Sequence, residues 1–71
     1  MLPERLAYMA NQIGLFFASQ KQGSAVDGIE DHILKFWDPR MRRDLLAHLD
    51  EVKLDPPVLE AMRRLRDRAA A

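Results

Sequence analysis

Histidine is the side-chain type that titrates near neutral pH, so it is the first candidate for proton transfer or metal binding. The chain has two, His32 and His48. A metal pair on a helix needs a second ligand at the i+4 position or further ligands elsewhere, and neither histidine has such a neighbour beyond ordinary surface carboxylates. We expect both to lie at helix edges, satisfied by a backbone or carboxylate group.

Other catalytic chemistry has little support. No pattern brings two of the candidate carboxylates into a shared cleft, and neither a nucleophile motif nor a glycine-rich phosphate loop is present. Cysteine is absent from the sequence, which excludes thiolate zinc sites and iron–sulfur ligation by this chain. The chain alone is therefore not expected to be an enzyme. The carboxylates considered are Glu30, Asp31, Glu51 and Asp55.

Two arginine clusters offer binding chemistry instead. Arg40, Arg42 and Arg43 fall in the first turn of a predicted helix, where the helix dipole disfavours cations. The forked guanidinium suits an acidic patch on a partner, and a solvated basic turn paired locally is an equally weighted alternative.

The second cluster, between Arg63 and Arg68, raises the alternative of a small nucleic-acid-binding domain. However, 11 basic residues balance 11 acidic residues, and neither Asp-Pro junction resembles the short turn of a helix-turn-helix motif. Nucleic-acid binding is thus disfavoured.

The spacing of apolar residues predicts helices, and these helices would position all the candidate residues. Pro3, Ser24, Asp38-Pro39 and Asp55-Pro56 each supply a helix start signal, and no run alternates long enough for a strand. The sequence predicts an all-α fold, a small bundle of three to four short helices in one domain, 1–71. The predicted helices span about residues 3–19, 24–37, 39–50 and 56–68.

Fifteen consecutive uncharged residues, Leu6 to Gln20, make up most of the first predicted helix and the residue after it, in a chain that is 31% charged. One stripe is ordinary core, and a second uncharged stripe lies on the side where charges are expected, so the helix is suited to burial on two sides. The core stripe comprises Leu6, Met9, Ala10, Ile13, Phe16 and Phe17, and the second stripe Tyr8, Asn11, Leu15 and Ala18.

The second helix carries an apolar arc in which Phe36 is predicted to be internal. Trp37 is at the edge of this arc, where a large ring serves either as a lid on the core or as an interface anchor. Gly28 would permit a close helix contact. The predicted partner-binding residues are Tyr8, Asn11, Gln12, Leu15, Leu34, Trp37, Arg40, Arg42 and Arg43, with the amides of Asn11 and Gln12 expected to bond a partner's backbone.

A chain of 71 residues buries only ~60% of its unfolded surface, and this one has no disulfide to stabilise it. A partner, or a second copy of the chain, would supply the missing burial. The uncharged stretch is too short to span a bilayer. We expect a cytoplasmic protein without membrane contact.

The residues from Met9 to Ile13, the pair Phe16-Phe17, and the run Phe36 to Arg42 together resemble the delta subunit of soluble, NAD-dependent, molybdenum-containing formate dehydrogenases. The resemblance extends to Leu54-Asp55-Pro56 and covers nearly the whole chain. The run Phe-Trp-Asp-Pro-Arg-Met-Arg is its most specific part.

This resemblance implies a noncatalytic accessory subunit that docks on, stabilises or helps assemble a complex oxidising formate and reducing NAD. In that family the alpha subunit holds molybdenum bis-guanine-dinucleotide, whereas the beta and gamma subunits carry FMN and iron–sulfur clusters. The delta subunit would bind no cofactor. The alpha subunit is its expected contact.

Overall fold

The computed structural model describes residues 2–20 and 23–70, which form an all-α bundle, as predicted. The helices are α1 (Pro3–Ala18), α2 (Ala25–Phe36), α3 (Pro39–Leu46) and α4 (Pro56–Ala70). No strand occurs within the described ranges. The predicted loop before α2 includes residues 21 and 22, which lie outside them.

The helix starts follow the local sequence. The hydroxyl of Ser24 accepts a hydrogen bond from the Asp27 amide at 3.4 Å, and the carboxylate of Asp38 accepts one from the Met41 amide at 2.9 Å. These are N-cap bonds that satisfy otherwise unpaired amides of the first turn. The capping predicted for α2 and α3 is therefore confirmed.

Helix α3 is shorter than predicted, ending at Leu46 instead of residue 50. The backbone pattern tightens after it: the amide of His48 donates to Leu45 O, and the amide of Glu51 to His48 O. These i to i+3 bonds form turns that continue to bury Leu49. Inward spacing of leucines thus persists beyond the end of the α-helix.

Helix α2 lies at the centre of the packing, since it makes its most extensive contacts with α4 and α1. A close approach of α1 to α4 occurs at Gly14, where an added Cβ would lie 2.5 Å from Val58 Cγ2. The buried core consists of Leu6, Ala7, Ala10, Ile29, Ile33, Trp37, Leu45, Leu49, Val58, Ala61, Met62 and Leu65.

Two predicted core residues are exposed: Phe16 at 60% and Phe36 at 73%. Trp37, by contrast, is 6% exposed and belongs to the core. The prediction for Phe36 was wrong because Phe36 is the last residue of α2, and its ring lies against His32, one turn earlier, instead of against the core. Trp37 has extended backbone angles (φ −88°, ψ 138°) as the C-cap of α2, so helical periodicity no longer governs its position.

Candidate docking surface

Four ring-bearing side chains form a continuous row across α1 and α2. The rings of Phe16 and Phe17 meet edge to face with centroids 5.1 Å apart, and Phe17 lies 6.1 Å from His32. His32 is in turn 4.7 Å from Phe36. We call these residues the aromatic row. Both of its ends, Phe16 and Phe36, are exposed to solvent.

The row exists because α2 has a glycine where α1 presents a ring. A Cβ built on Gly28 would collide with the Phe17 ring, so only a glycine lets this ring rest against the helix. The predicted close helix contact at Gly28 is confirmed. Phe17 is thereby held half-buried, within stacking distance of His32.

The exposed face of α1 extends this surface without a charge. Tyr8 is 64% exposed and Leu15 is 59% exposed, and the exposed residue Gln12 lies on the same face. A shallow depression of about 350 Å³ joins this face to the row and is lined by Gln12, Ile13, Phe16, Phe17 and His32. We call the whole area the uncharged surface, comprising Tyr8, Gln12, Leu15, Phe16, His32 and Phe36.

The side-chain amide of Asn11 bonds within the fold. Its side-chain NH₂ donates to Lys53 O at 3.0 Å, and its Oδ1 accepts from the Asp55 amide at 3.0 Å. The amide therefore fixes the connection between α3 and α4. Both bonds lie within the chain, and a further bond from Asn11 to a partner's backbone stays a prediction.

The predicted partner-binding residues do not form one patch. Tyr8, Gln12 and Leu15 lie on the uncharged surface, Asn11 bonds the connection between α3 and α4, and Trp37 lies in the core. A separate groove beside the end of α2 is lined by Leu34, Arg42 and Arg43 among others. Arg40 is exposed and lines neither area.

Arg42 forms hydrogen bonds to the backbone of its own chain. Its Nη1 donates to Leu34 O at 3.1 Å and to Trp37 O at 3.0 Å, capping the carboxyl end of α2. Cations are favourable at this end of a helix. Of the two alternatives that the sequence left open, the structure therefore shows local pairing for Arg42.

The second basic cluster is largely neutralised. Arg64 Nη1 lies 2.6 Å from an oxygen of Asp27, and Arg68 Nη2 lies 2.7 Å from an oxygen of Glu30. The hydrogen bond to Asp27 raises the pKa of the Arg64 guanidinium, which remains charged. Two of the arginines that favoured a nucleic-acid surface are therefore engaged by carboxylates of α2.

The two histidines have different contacts. His48 Nδ1 contacts the Glu51 carboxylate, which confirms the predicted carboxylate partner. His32 instead meets the ring of Phe17 edge to face and lies tilted against the ring of Phe36. Among the described residues, no group of three or more histidine, aspartate or glutamate side chains is arranged to hold a metal ion.

Residues 5–62 match the model of a protein family described as "NADH-dependant formate dehydrogenase delta subunit FdsD". The chain belongs to this family. The matched region contains the uncharged surface in full and ends within α4. No curated protein and no solved structure matches the chain.

Membership of the delta-subunit family identifies the chain as a formate dehydrogenase subunit, and the family name implies that its members belong to a formate dehydrogenase complex. The resemblance carried by Met9 to Ile13 and by Phe36 to Arg42 is thus confirmed. In the described part of this family member, no helix is both long and apolar enough to cross a membrane.

Proposed function

We propose that this chain is a noncatalytic accessory subunit that docks through its uncharged surface on the molybdenum-bearing alpha subunit of formate dehydrogenase. The observation that carries the proposal is the exposure of Phe16 and Phe36 at the two ends of the aromatic row. Single exposed apolar residues are ordinary, whereas a contiguous group of them is typical of an interaction surface.

Docking through this surface would be stabilised by burial of apolar area. Covering aromatic and aliphatic side chains contributes about 25 cal/mol per Å² of apolar area removed from water, before the costs of association are subtracted. The α1 part of the surface contains no charge, so docking there leaves no buried ion without a partner. Rigid aromatic side chains such as Phe16 and Tyr8 lose little conformational entropy when ordered.

In this role the chain supplies binding energy, and the redox chemistry belongs to other subunits. We propose that the alpha, beta and gamma subunits hold the molybdenum cofactor, the FMN and the iron–sulfur clusters. Docking of the delta chain would stabilise the alpha subunit or an assembly intermediate by mass action, because binding to a folded state raises its apparent stability. The complex is proposed to be cytoplasmic.

The experiment is deletion of this chain from its host, followed by purification of the remaining enzyme. We expect lower complex yield, lower molybdenum content per alpha subunit, or a lower Tm. Complementation with the wild-type chain should restore these values, and complementation with Phe36→Asp should not. Ala47→Asp is the matched control, since it adds the same charge at an exposed position outside the uncharged surface.

If deletion leaves yield, cofactor content and Tm unchanged, the proposal fails. Light scattering of the purified chain tests self-association, the competing explanation for the surface. A stable homodimer that is disrupted by Phe36→Asp, together with an unaffected enzyme, would assign the surface to a second copy of the chain. Nothing in the described contacts favours nucleic-acid binding as a second function.

A further inference from the structure

A second exposed feature lies on the other side of α2. Leu34 and His32 are two residues apart, which on an α-helix separates their side chains by about 160° around the axis. Leu34 therefore faces away from the aromatic row, and it lines a groove of about 310 Å³ between α2, α3 and α4. We call this feature the basic groove.

The basic groove combines an apolar floor with a cationic rim. Its floor includes Leu34, Leu46 and Leu65, and its rim includes Arg42, Arg43 and Arg68. No acidic residue lines it. An occupant must therefore offer both an apolar side chain and negative charge.

The three rim arginines differ in whether a carboxylate of this chain already pairs with their charge. Arg68 is paired with Glu30, and Arg42 donates through Nη1 to two backbone carbonyls. Carbonyls are neutral, so they leave the charge of Arg42 uncompensated. Arg43 is exposed and forms no ion pair within residues 2–20 and 23–70.

From this complementarity we propose that the basic groove binds an acidic segment of a partner protein, with an apolar side chain of that segment seated on the leucine floor. The carboxylates of the segment pair with Arg43 and with the remaining N–H groups of Arg42. A guanidinium holds a carboxylate through two parallel hydrogen bonds, which fixes its orientation as well as its charge.

The apolar floor is what favours a peptide over nucleic acid as the occupant. Phosphate backbones are bound by cations and polar groups, and they make no use of three leucines. A peptide can instead place an apolar side chain on the leucines while its neighbouring carboxylates pair with the rim arginines. The inference rests on the proposed function in one respect: the segment belongs to another subunit of the same enzyme complex.

The test is site-specific photo-crosslinking in the assembled enzyme. The crosslinking amino acid p-benzoylphenylalanine replaces Leu34 in one version of the chain and Gln12 in another, so that the basic groove and the uncharged surface report separately. We expect position 34 to crosslink to a segment of another subunit that carries two or more acidic residues beside an apolar one.

A crosslink from position 34 to a segment without acidic residues, to nucleic acid or to a second copy of the chain would overturn the proposal. Absence of any crosslink from position 34, while position 12 crosslinks to an enzyme subunit, would overturn it as well and leave the proposed function standing. Absence of a crosslink from position 12, while position 34 crosslinks to an enzyme subunit, would count against the proposed function.

A charge-reversal experiment provides the second measurement. Arg43→Glu should raise the Kd for the enzyme that lacks this chain about tenfold in about 50 mM salt, and the difference should shrink in about 500 mM salt because the contact is electrostatic. Arg63→Glu, an exposed arginine outside the groove, is the matched control and should leave the Kd unchanged. Changing the crosslinked acidic residue to lysine should restore binding of Arg43→Glu. Equal effects of the two arginine variants would contradict the proposal.

Discussion

Phe36 and Trp37 are adjacent in the chain and lie on opposite sides of the core boundary. The Phe36 ring is 73% exposed and stacks on His32, whereas Trp37 is 6% exposed. The division arises because α2 ends between them and the backbone becomes extended at Trp37. Phe36 therefore belongs to the surface, and Trp37 belongs to the core.

Alanine substitutions at these two positions should consequently diverge. Phe36→Ala removes an exposed ring and should change the free energy of unfolding by no more than about 0.5 kcal/mol. Trp37→Ala leaves a large cavity and should cost about 3–5 kcal/mol, which is most of the stability of a domain this small. Urea unfolding followed by circular dichroism measures both. Equal losses of stability would contradict the burial described here.

Gly14 should resist substitution despite its place inside a helix. Alanine has the higher helix propensity by about 1 kcal/mol, but its Cβ would lie 2.5 Å from Val58 Cγ2. Val58 is fully buried and its branched side chain is stiff, so overpacking costing about 1–3 kcal/mol should prevail. We expect Gly14→Ala to lower Tm.

The compensating variant tests this cause. Adding Val58→Ala removes the methyl group that obstructs the new Cβ, so the double variant should lose less stability than the sum of the two single variants. Strict additivity in thermal unfolding would show that the contact between α1 and α4 is not the reason.

The amide of Asn11 should contribute to stability. Asn11→Ala removes hydrogen bonds to Lys53 O and to the Asp55 amide, and should cost about 1–3 kcal/mol, with faster hydrogen exchange at the Asp55 amide. Gln12→Ala, next in the chain and exposed, is the control and should leave both measurements unchanged. Wild-type exchange at Asp55 in the Asn11 variant would refute this role.

Arg42 and Arg40 provide another matched pair. Arg42→Ala leaves the carbonyls of Leu34 and Trp37 without their charged donor, so we expect a loss of about 1.5–3 kcal/mol in the free energy of unfolding. Arg42→Lys should lose part of this, because an ammonium lacks the fork of the guanidinium. Arg40→Ala at an exposed position should have little effect. The prediction fails if chemical denaturation gives Arg40→Ala and Arg42→Ala the same midpoint.

Local signals account for what the sequence predicted well. Proline at the starts of α1, α3 and α4, together with caps at Ser24 and Asp38, predicted four helices because these signals act within one turn. The end of α3 was placed too late because leucine spacing continues through the turns that follow it.

Helical periodicity could not predict contacts between residues that are far apart in the sequence. The partners of Asn11 lie 42 and 44 residues away, and nothing near Asn11 in sequence indicates them. The second uncharged stripe of α1 lies outside the core, with Tyr8 and Leu15 exposed, and its burial by a partner stays a prediction. Its continuation onto α2 through Phe36 could be recognised only from the packing of Phe17 against Gly28.

The proposed function depends on contact between the uncharged surface and formate dehydrogenase. The most direct test is the Kd of the labelled chain for purified enzyme lacking it, measured for wild type, Phe16→Asp, Phe36→Asp and the control Ala47→Asp. Burying a charge at a contact that carries the binding energy should cost 2 kcal/mol or more, which is about a thirtyfold weaker Kd. We expect this for the two phenylalanine variants, with Ala47→Asp binding as wild type. Binding of both phenylalanine variants with the wild-type Kd, while each remains folded, would contradict docking through the uncharged surface.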